Sequence, residues 1–419
     1  ETRHIYTDFD LCYRAVCSRD ARFDGLFFTA VTTTGIYCRP ICPARTPRAK
    51  NVRFYPYALA AEAAGFRACR RCHPEASPGS PDWNRRADLV ARALRLIADG
   101  LVDVEGVTGL AQRLVVSQRH LHRELVTQVG IGPLALARRR RAQTAKLLLD
   151  QTHLSLTDIA FASGFPSIRQ FNATMREIFG CAPSTLWQHI QSGSVSDGCL
   201  TLCLHYRPPF DSAGIFAYLG THAIPGIEEV INQRYRRTIA FPYSKGILEV
   251  EPGAKKNTLA LHLSLDDLSD LGQIVQRCRN LFDLDADPAT INAMLAADPL
   301  MVPLVEMRPG LRLPGAINGF ELAVCAILIQ QTSIAEARTL AGQLISAYGD
   351  PLPEPQGTLA HFFPTPEQIM QTDLAAIGLP HTGVTMLQTL AQAVAEGSLI
   401  LDRGTDREQT TTQLLTCQA

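Results

Sequence analysis

The sequence predicts a multidomain chain that combines α/β with all-α parts, and three observations carry that expectation. At 419 residues the chain exceeds what one hydrophobic core usually organises. Two segments rich in Gly, Ser or Pro, residues 77–81 and 191–198, separate stretches of different periodicity and read as linkers. Charge is divided as well: up to Gln191 there are 26 Lys plus Arg against 16 Asp plus Glu, and beyond it 14 against 24, although the total is zero. The basic half is the expected DNA-facing part. No run approaches the roughly 18 apolar residues of a membrane span, and the start lacks a signal-peptide core, so a soluble cytoplasmic protein is expected. Four of the twelve cysteines have metal spacing and the rest are scattered, which favours reduced thiols.

Residues 1–76 read as a small α/β domain, with a β-prone piece at 26–31 and a helical piece at 59–64. Two cysteine pairs dominate it: Cys38 and Cys42 in a C-x3-C, Cys69 and Cys72 in a C-x2-C, with 26 residues between the pairs. Such spacing brings four thiolates to one tetrahedral ion, a ligand set suited to a single Zn²⁺. Arg45, Arg48 and Lys50 follow the first pair, and Arg67, Arg70 and Arg71 surround the second. Two readings stand on spacing alone: a structural zinc, or a thiolate kept ionised as a nucleophile and approached by a polyanion.

The residues resemble the amino-terminal domain of the Ada-type adaptive-response regulators, through Phe23-Asp24-Gly25, Thr34-Gly35-Ile36-Tyr37-Cys38-Arg39-Pro40, Cys42-Pro43-Ala44-Arg45 and Ala64-Gly65-Phe66-Arg67-Ala68-Cys69-Arg70-Arg71-Cys72. The resemblance implies that Cys38 both ligates zinc and takes a methyl group from a methylphosphotriester in DNA. Arg45, Arg67, Arg70 and Arg71 are then the expected backbone-contacting cations.

Residues 83–191 turn helical. Val90, Leu94, Ile97 and Leu101 are spaced as one buried stripe. Residues 110–114 lead through a turn at Val115-Val116 to Ser117, placed to cap a helix reaching about Val129. Leu121 and Leu125 face inward on it, which leaves Arg119, His122 and Arg123 outside. The pattern recurs with Ser155 as a cap, a turn at Gly164-Phe165, and Ser167 capping a helix from Ile168 to Phe179. There Phe171, Met175 and Ile178 form the inner stripe, with Arg169, Asn172, Ala173 and Arg176 nearer solvent. Two helix-turn-helix units joined by a helix over 133–149 resemble the AraC-type DNA-binding domain, whose two recognition helices enter successive major grooves. By that resemblance Arg119, His122, Arg123, Arg169, Asn172 and Ala173 read bases. Arg138 to Arg141 wind round the linking helix, so only one or two of them are expected to touch phosphate; the other reading of the run is a solvated face.

Beyond the second linker, Leu200, Leu202, Leu204 and Tyr206, and again Leu259, Leu261, Leu263 and Leu265, alternate as half-buried strands. An α/β domain is expected over 199–305. A long buried helix pair over 320–344 and short helices from Pro366 make a partial helical domain over 306–419. This region resembles AlkA-type 3-methyladenine DNA glycosylases, through Tyr206-Arg207-Pro208-Pro209-Phe210-Asp211, Arg308-Pro309-Gly310-Leu311-Arg312-Leu313-Pro314-Gly315 and Ala326-Ile327-Leu328-Ile329-Gln330-Gln331-Thr332-Ser333. The resemblance implies an AlkA-like α+β amino-terminal domain followed by an incomplete helix-hairpin-helix glycosylase domain. It places Gln331 in a loop that fills the gap left by a flipped nucleotide, and Tyr218 beside the base pocket; ordinary core packing is the other reading of Tyr218. It reaches residues 413–419, where the family begins its hairpin, and neither hairpin nor following aspartate appears. Asp402 and Asp406 come too early to replace that aspartate. Base excision by this chain is therefore not expected, and uncovered apolar helix faces are.

Together these readings describe a DNA alkylation-response protein that transfers methyl groups irreversibly to Cys38, binds double-stranded DNA at damaged backbone and promoter sites, and activates transcription through RNA polymerase. The alternatives are an alkylbase glycosylase with a regulatory front half, and a transcription regulator whose zinc is purely structural.

Overall fold

The computed structural model describes residues 5–76, 85–187 and 199–416, and both expected linkers lie outside them. The chain divides into two compact units, residues 1–91 and 92–419.

In the first unit Asp8 accepts from the Leu11 N–H and opens α1 (Phe9–Ser18), a helix that sequence reading missed. Its buried residues are Cys12, Ala15 and Val16, which are too small to announce an apolar stripe. Strands β1 (Phe28–Val31), β2 (Ile36–Cys38) and β3 (Val52–Tyr55), helix α2 (Ala58–Ala63) and strand β4 (Arg67–Ala68) follow. The sheet order is β3-β1-β2-β4. Phe27 and Phe54 pack with α1, while Phe28 and Tyr55 pack with Ala61 of α2. Successive residues thus serve opposite faces of the sheet, as strand alternation requires.

The helical part begins with α3 (Arg85–Ala98), α4 (Leu101–Arg113), α5 (Gln118–Val129), α6 (Pro133–Gln151), α7 (Leu156–Ala162), α8 (Ile168–Phe179) and α9 (Pro183–Trp187). The inner residues of α3 are Leu89, Val90, Ala93, Leu96 and Ile97. Leu94, expected among them, is exposed, and its neighbour Ala93 takes the inner place on that turn. Leu101 instead starts α4 after Gly100. Ser117, Ser155 and Ser167 each accept a hydrogen bond from the N–H three residues on, the capping geometry expected of them. The turn before α5 holds Val115 at φ 55°, and that before α8 holds Gly164 at φ 84°. The solvated-face reading of the arginine run fails for two of the four: Arg140 and Arg141 both turn inward to Asp103, Arg140 Nη1 at 2.8 Å and Arg141 Nε at 2.6 Å. Pairing with this half-buried carboxylate takes both side chains off the phosphate-facing and solvated surfaces.

The remainder opens with β5 (Leu200–His205), α10 (Ser212–His222), β6 (Glu228–Ile231), β7 (Arg234–Ala240), β8 (Lys245–Pro252), β9 (Thr258–Leu265) and α11 (Leu271–Leu281). The antiparallel sheet runs β5-β9-β8-β7-β6, so the two predicted strands are neighbours, paired Leu202 to Leu261. One apolar core continues from Leu148 and Leu149 of α6 and Phe171 and Met175 of α8 into Leu202, Leu248, Leu261 and Phe282. After α12 (Pro288–Leu295) and α13 (Val302–Met307) come α14 (Gly319–Gln331), α15 (Ile334–Tyr348), β10 (Pro351–Gln356), β11 (Leu359–His361), α16 (Pro366–Met370), α17 (His381–Ala395) and α18 (Arg407–Thr416). Val324, Leu328, Leu344, Ile345, Leu387 and Leu390 form their shared core. The predicted buried pair is only partly buried, since Leu322 and Ile334 are exposed. Helix α17, with 15 residues, is longer than the short helices expected from Pro366 onward. Met294, Leu300, Met307 and Leu313 are strongly exposed around α12 and α13.

Candidate metal centre and nucleic-acid interface

Strand β4 pairs parallel to β2, with Tyr37 opposite Ala68, so the next residue of each strand is a cysteine and the two lie side by side. Turns complete the set: Cys42 N–H donates to the Arg39 carbonyl at 3.1 Å, and His73 N–H to the Cys69 carbonyl at 3.0 Å. Cys38, Cys42, Cys69 and Cys72 place their sulfurs within 4.8 Å of one another. Four sulfurs so close cannot all ionise without a cation. Hydrogen bonds from Cys38 and Cys72 pull the Cys42 thiol well down, and the bond to Cys42 pushes Cys38 up. An all-thiolate tetrahedral donor set is what Zn²⁺ takes, and these four residues make one such site. Cys69 and Cys72 are buried, whereas Cys38 and Cys42 are partly exposed.

Two residues beneath the cluster were not singled out from sequence. Arg39, 4% exposed, donates Nε to Asp24 Oδ1 at 2.8 Å, Nη1 to the Cys72 carbonyl at 3.3 Å, and its backbone N–H to Cys72 Sγ at 3.4 Å. Both lie inside the stretches that carried the first resemblance, which was the available signal. Around the rim Arg45, Arg67, Arg70 and Arg71 are exposed.

On α5 Arg119, His122 and Arg123 are exposed, and Arg123 is steadied by His120 Nδ1 at 2.7 Å and Glu124 Oε1 at 3.2 Å. On α8 Arg169, Ala173 and Arg176 are exposed and Asn172 is half-buried. Gln331 is the last residue of α14, and Ser333 already caps α15. The expected loop at 330–332 is therefore a tight helix junction, closed by the capping box of Ser333 and Glu336.

Tyr218 is 49% exposed and stacks on His222 with ring centroids 4.1 Å apart, so core packing is not its role. It borders a cavity of about 290 Å³ lined also by Glu228, Glu321, Cys325 and Arg338. Arg237 forms the cavity's buried ionic floor, with Nη1 on Glu228 at 2.9 Å and Nη2 on Glu321 at 2.6 Å. Burial pushes the Glu321 carboxyl up. Arg237 was also missed, although alternation along β7 puts it in phase with the buried Tyr235 and Ile239.

Residues 11–75 match the metal binding domain of Ada, 110–189 a helix-turn-helix domain, and 201–318 the AlkA N-terminal domain. Over 415 residues the chain is 48% identical to the probable bifunctional transcriptional activator/DNA repair enzyme AlkA of Mycobacterium tuberculosis, covering 98% of this chain and 83% of that relative. The chain belongs to this Ada/AlkA family. It is also 32% identical over 209 residues to DNA-3-methyladenine glycosylase 2 of Escherichia coli, covering 49% of this chain and 71% of that one. Among solved structures, the methylated N-ADA/DNA complex is similar at 39% identity and a TM-score of 0.26, covering 32% of this chain and 97% of that one. The three matched regions of this Ada/AlkA member hold, in order, the zinc site, the two capped helices α5 and α8, and the sheet bordering the Tyr218 cavity. Among the described residues no helix is long and apolar enough to cross a membrane.

Proposed function

We propose that this chain is a DNA alkylation-response regulator that takes a methyl group from a methylphosphotriester onto Cys38 and then activates transcription. The observation that carries the proposal is the partial exposure of the first pair, Cys38 and Cys42, in a cluster whose second pair is buried, and the likeness to the metal binding domain of Ada selects Cys38 of the two. Exposed Arg45, Arg67, Arg70 and Arg71 give the site the charge that draws in the DNA backbone. When bound, Zn²⁺ supplies the positive charge that keeps four crowded sulfurs ionised at neutral pH.

In the transfer, Cys38 Sγ attacks the methyl carbon in line. A C–S bond forms, the C–O bond breaks, and its electron pair leaves with the phosphodiester as a stable anion. Arg39 fixes the backbone on either side of the reaction: its own N–H and its guanidinium both hold Cys72. No group restores the thiolate, so each chain reacts once. Losing one negative charge near phosphates also eases a repulsion; Coulomb energy at ~4 Å is about 4 kcal/mol at an effective dielectric near 20. Since about 1.4 kcal/mol is tenfold in affinity, even the fraction that survives solvent tightens promoter binding by the AraC-like helices, where RNA polymerase is recruited.

Mass spectrometry after exposure to methylated duplex DNA tests this reading. A methyl adduct on Cys38 is expected, and its absence in zinc-loaded protein would favour a plain regulator with a structural metal. A glycosylase reading is favoured by the Tyr218 cavity and by the likeness of the second half to DNA-3-methyladenine glycosylase 2. Against it, Asp402 and Asp406 are taken up in ion pairs with Arg113 and Arg92.

A further inference from the structure

The basic reader and the acidic remainder meet through a short turn, and the contacts are specific. Residues 402–406 are self-supporting: Gly404 N–H donates to Asp402 Oδ1 at 3.0 Å, and Asp406 Oδ1 accepts from the Glu408 and Gln409 N–H groups at 3.1 Å. Three arginines of α3 and α4 close on this turn. Arg92 Nε donates to the Gly404 carbonyl at 2.7 Å, Arg95 Nε to the Arg403 carbonyl at 2.8 Å, and Arg113 Nη1 to Asp402 Oδ2 at 2.7 Å. Gly404 lies so close to α3 that a Cβ there would sit 2.1 Å from Leu96 Cγ.

The second reader unit is fastened to the same body elsewhere. Gln151, at the end of α6, donates Nε2 to the Cys203 carbonyl at 3.3 Å and accepts from the Cys203 N–H at 2.5 Å. Asp103 ties α4 to α6 through Arg140 and Arg141. None of these fastenings uses Arg119, His122, Arg169 or Ala173, which stay exposed on α5 and α8.

We propose that the 402–406 turn is a positioning element for DNA reading. It holds α3 and α4 against the AlkA-like body, so that α5 keeps a fixed separation from α8 and the body strengthens promoter binding without touching DNA. Two helices that enter grooves one helical turn apart, about 34 Å, gain from a rigid link because the second contact then costs little further ordering. Asp402 and Asp406 thus serve as partners for scaffold arginines, and part of the opposite charge of the two halves is accounted for.

This proposal rests on reading the chain as a sequence-specific DNA binder, and its test separates the two. The full 419-residue protein is used to select duplexes from a random-sequence pool, and the selected duplex is compared with one whose second half is scrambled. Arg113→Ala, Asp402→Ala, the double variant and Gly404→Val are then measured on both duplexes. About a tenfold loss is expected on the intact duplex and less than about twofold on the half-scrambled one, with the double variant no worse than either single. Gly404→Val should reproduce the loss by steric means, with every charge retained. Unchanged affinity on the intact duplex, or tighter binding, would overturn the proposal while leaving the reader intact. Equal loss on both duplexes would mark the turn as merely structural and also overturn it. Failure of the wild type to select any sequence would overturn the underlying reading as well.

Discussion

The Asp24 carboxylate holds the Arg39 guanidinium beneath the thiol cluster, and the same guanidinium holds the Cys72 carbonyl, so one ion pair links the two halves of the zinc site. Asp24→Ala leaves a charge that is 4% exposed without its carboxylate, which costs about 3–5 kcal/mol. Chelator-induced unfolding should run at lower chelator concentration in this variant. Wild-type resistance would mean that the pair is incidental.

Cys38→Ala is expected to lose methyl acceptance and weaken zinc binding, because one sulfur serves both. Cys72→Ala, which removes a buried ligand that also accepts from the Arg39 N–H, should chiefly unfold the domain. Retained methyl transfer by purified, zinc-loaded Cys38→Ala would show that another sulfur is the acceptor.

Arg169→Ala and Arg70→Ala should separate two kinds of contact. The first is expected to relax sequence preference by about 1–3 kcal/mol at one position; the second should weaken all duplexes alike and lower the salt slope by about 1. An unaltered slope for Arg70→Ala would reduce the basic rim to a solvated surface. Arg123 is a weaker choice for the first test, since His120 and Glu124 already engage it.

Asp99 carries a pH dependence of definite sign. It is buried, its Oδ2 makes no hydrogen bond, Arg277 stands 3.6 Å away, and burial pushes its carboxyl up. A raised folded-state value gives stability that is present below the ordinary aspartate value near 3.9 and is lost as pH rises through the folded value. Urea unfolding should therefore show Asp99→Asn gaining on the wild type as pH rises from about 4, and a flat difference would contradict the sign.

Local chemistry was the legible part of the sequence. The cysteine spacing found the metal site, and serine placement found three helix caps, because both depend on residues a few positions apart. What escaped depends on contacts distant in sequence. The parallel pairing of β2 with β4 is invisible in strands this short, and Asp103 gives no hint that it will capture Arg140 and Arg141. Helix α1 escaped because its inward residues are small, and the tight junction after Gln331 escaped because a family loop was carried over where a capping box stands.

The core that runs from Leu148 and Phe171 into Leu202 and Phe282 bears on how such a gene can change. A recombination point between residues 187 and 199 looks convenient on paper, since it separates two recognisable pieces. It would cut across side chains packed to crystal-like density, and a foreign reader would bring the wrong volumes to the seam, where overpacking alone costs about 1–3 kcal/mol. The two pieces are therefore poor cassettes for exchange, and a substitution on one side of the seam calls for a matching volume on the other.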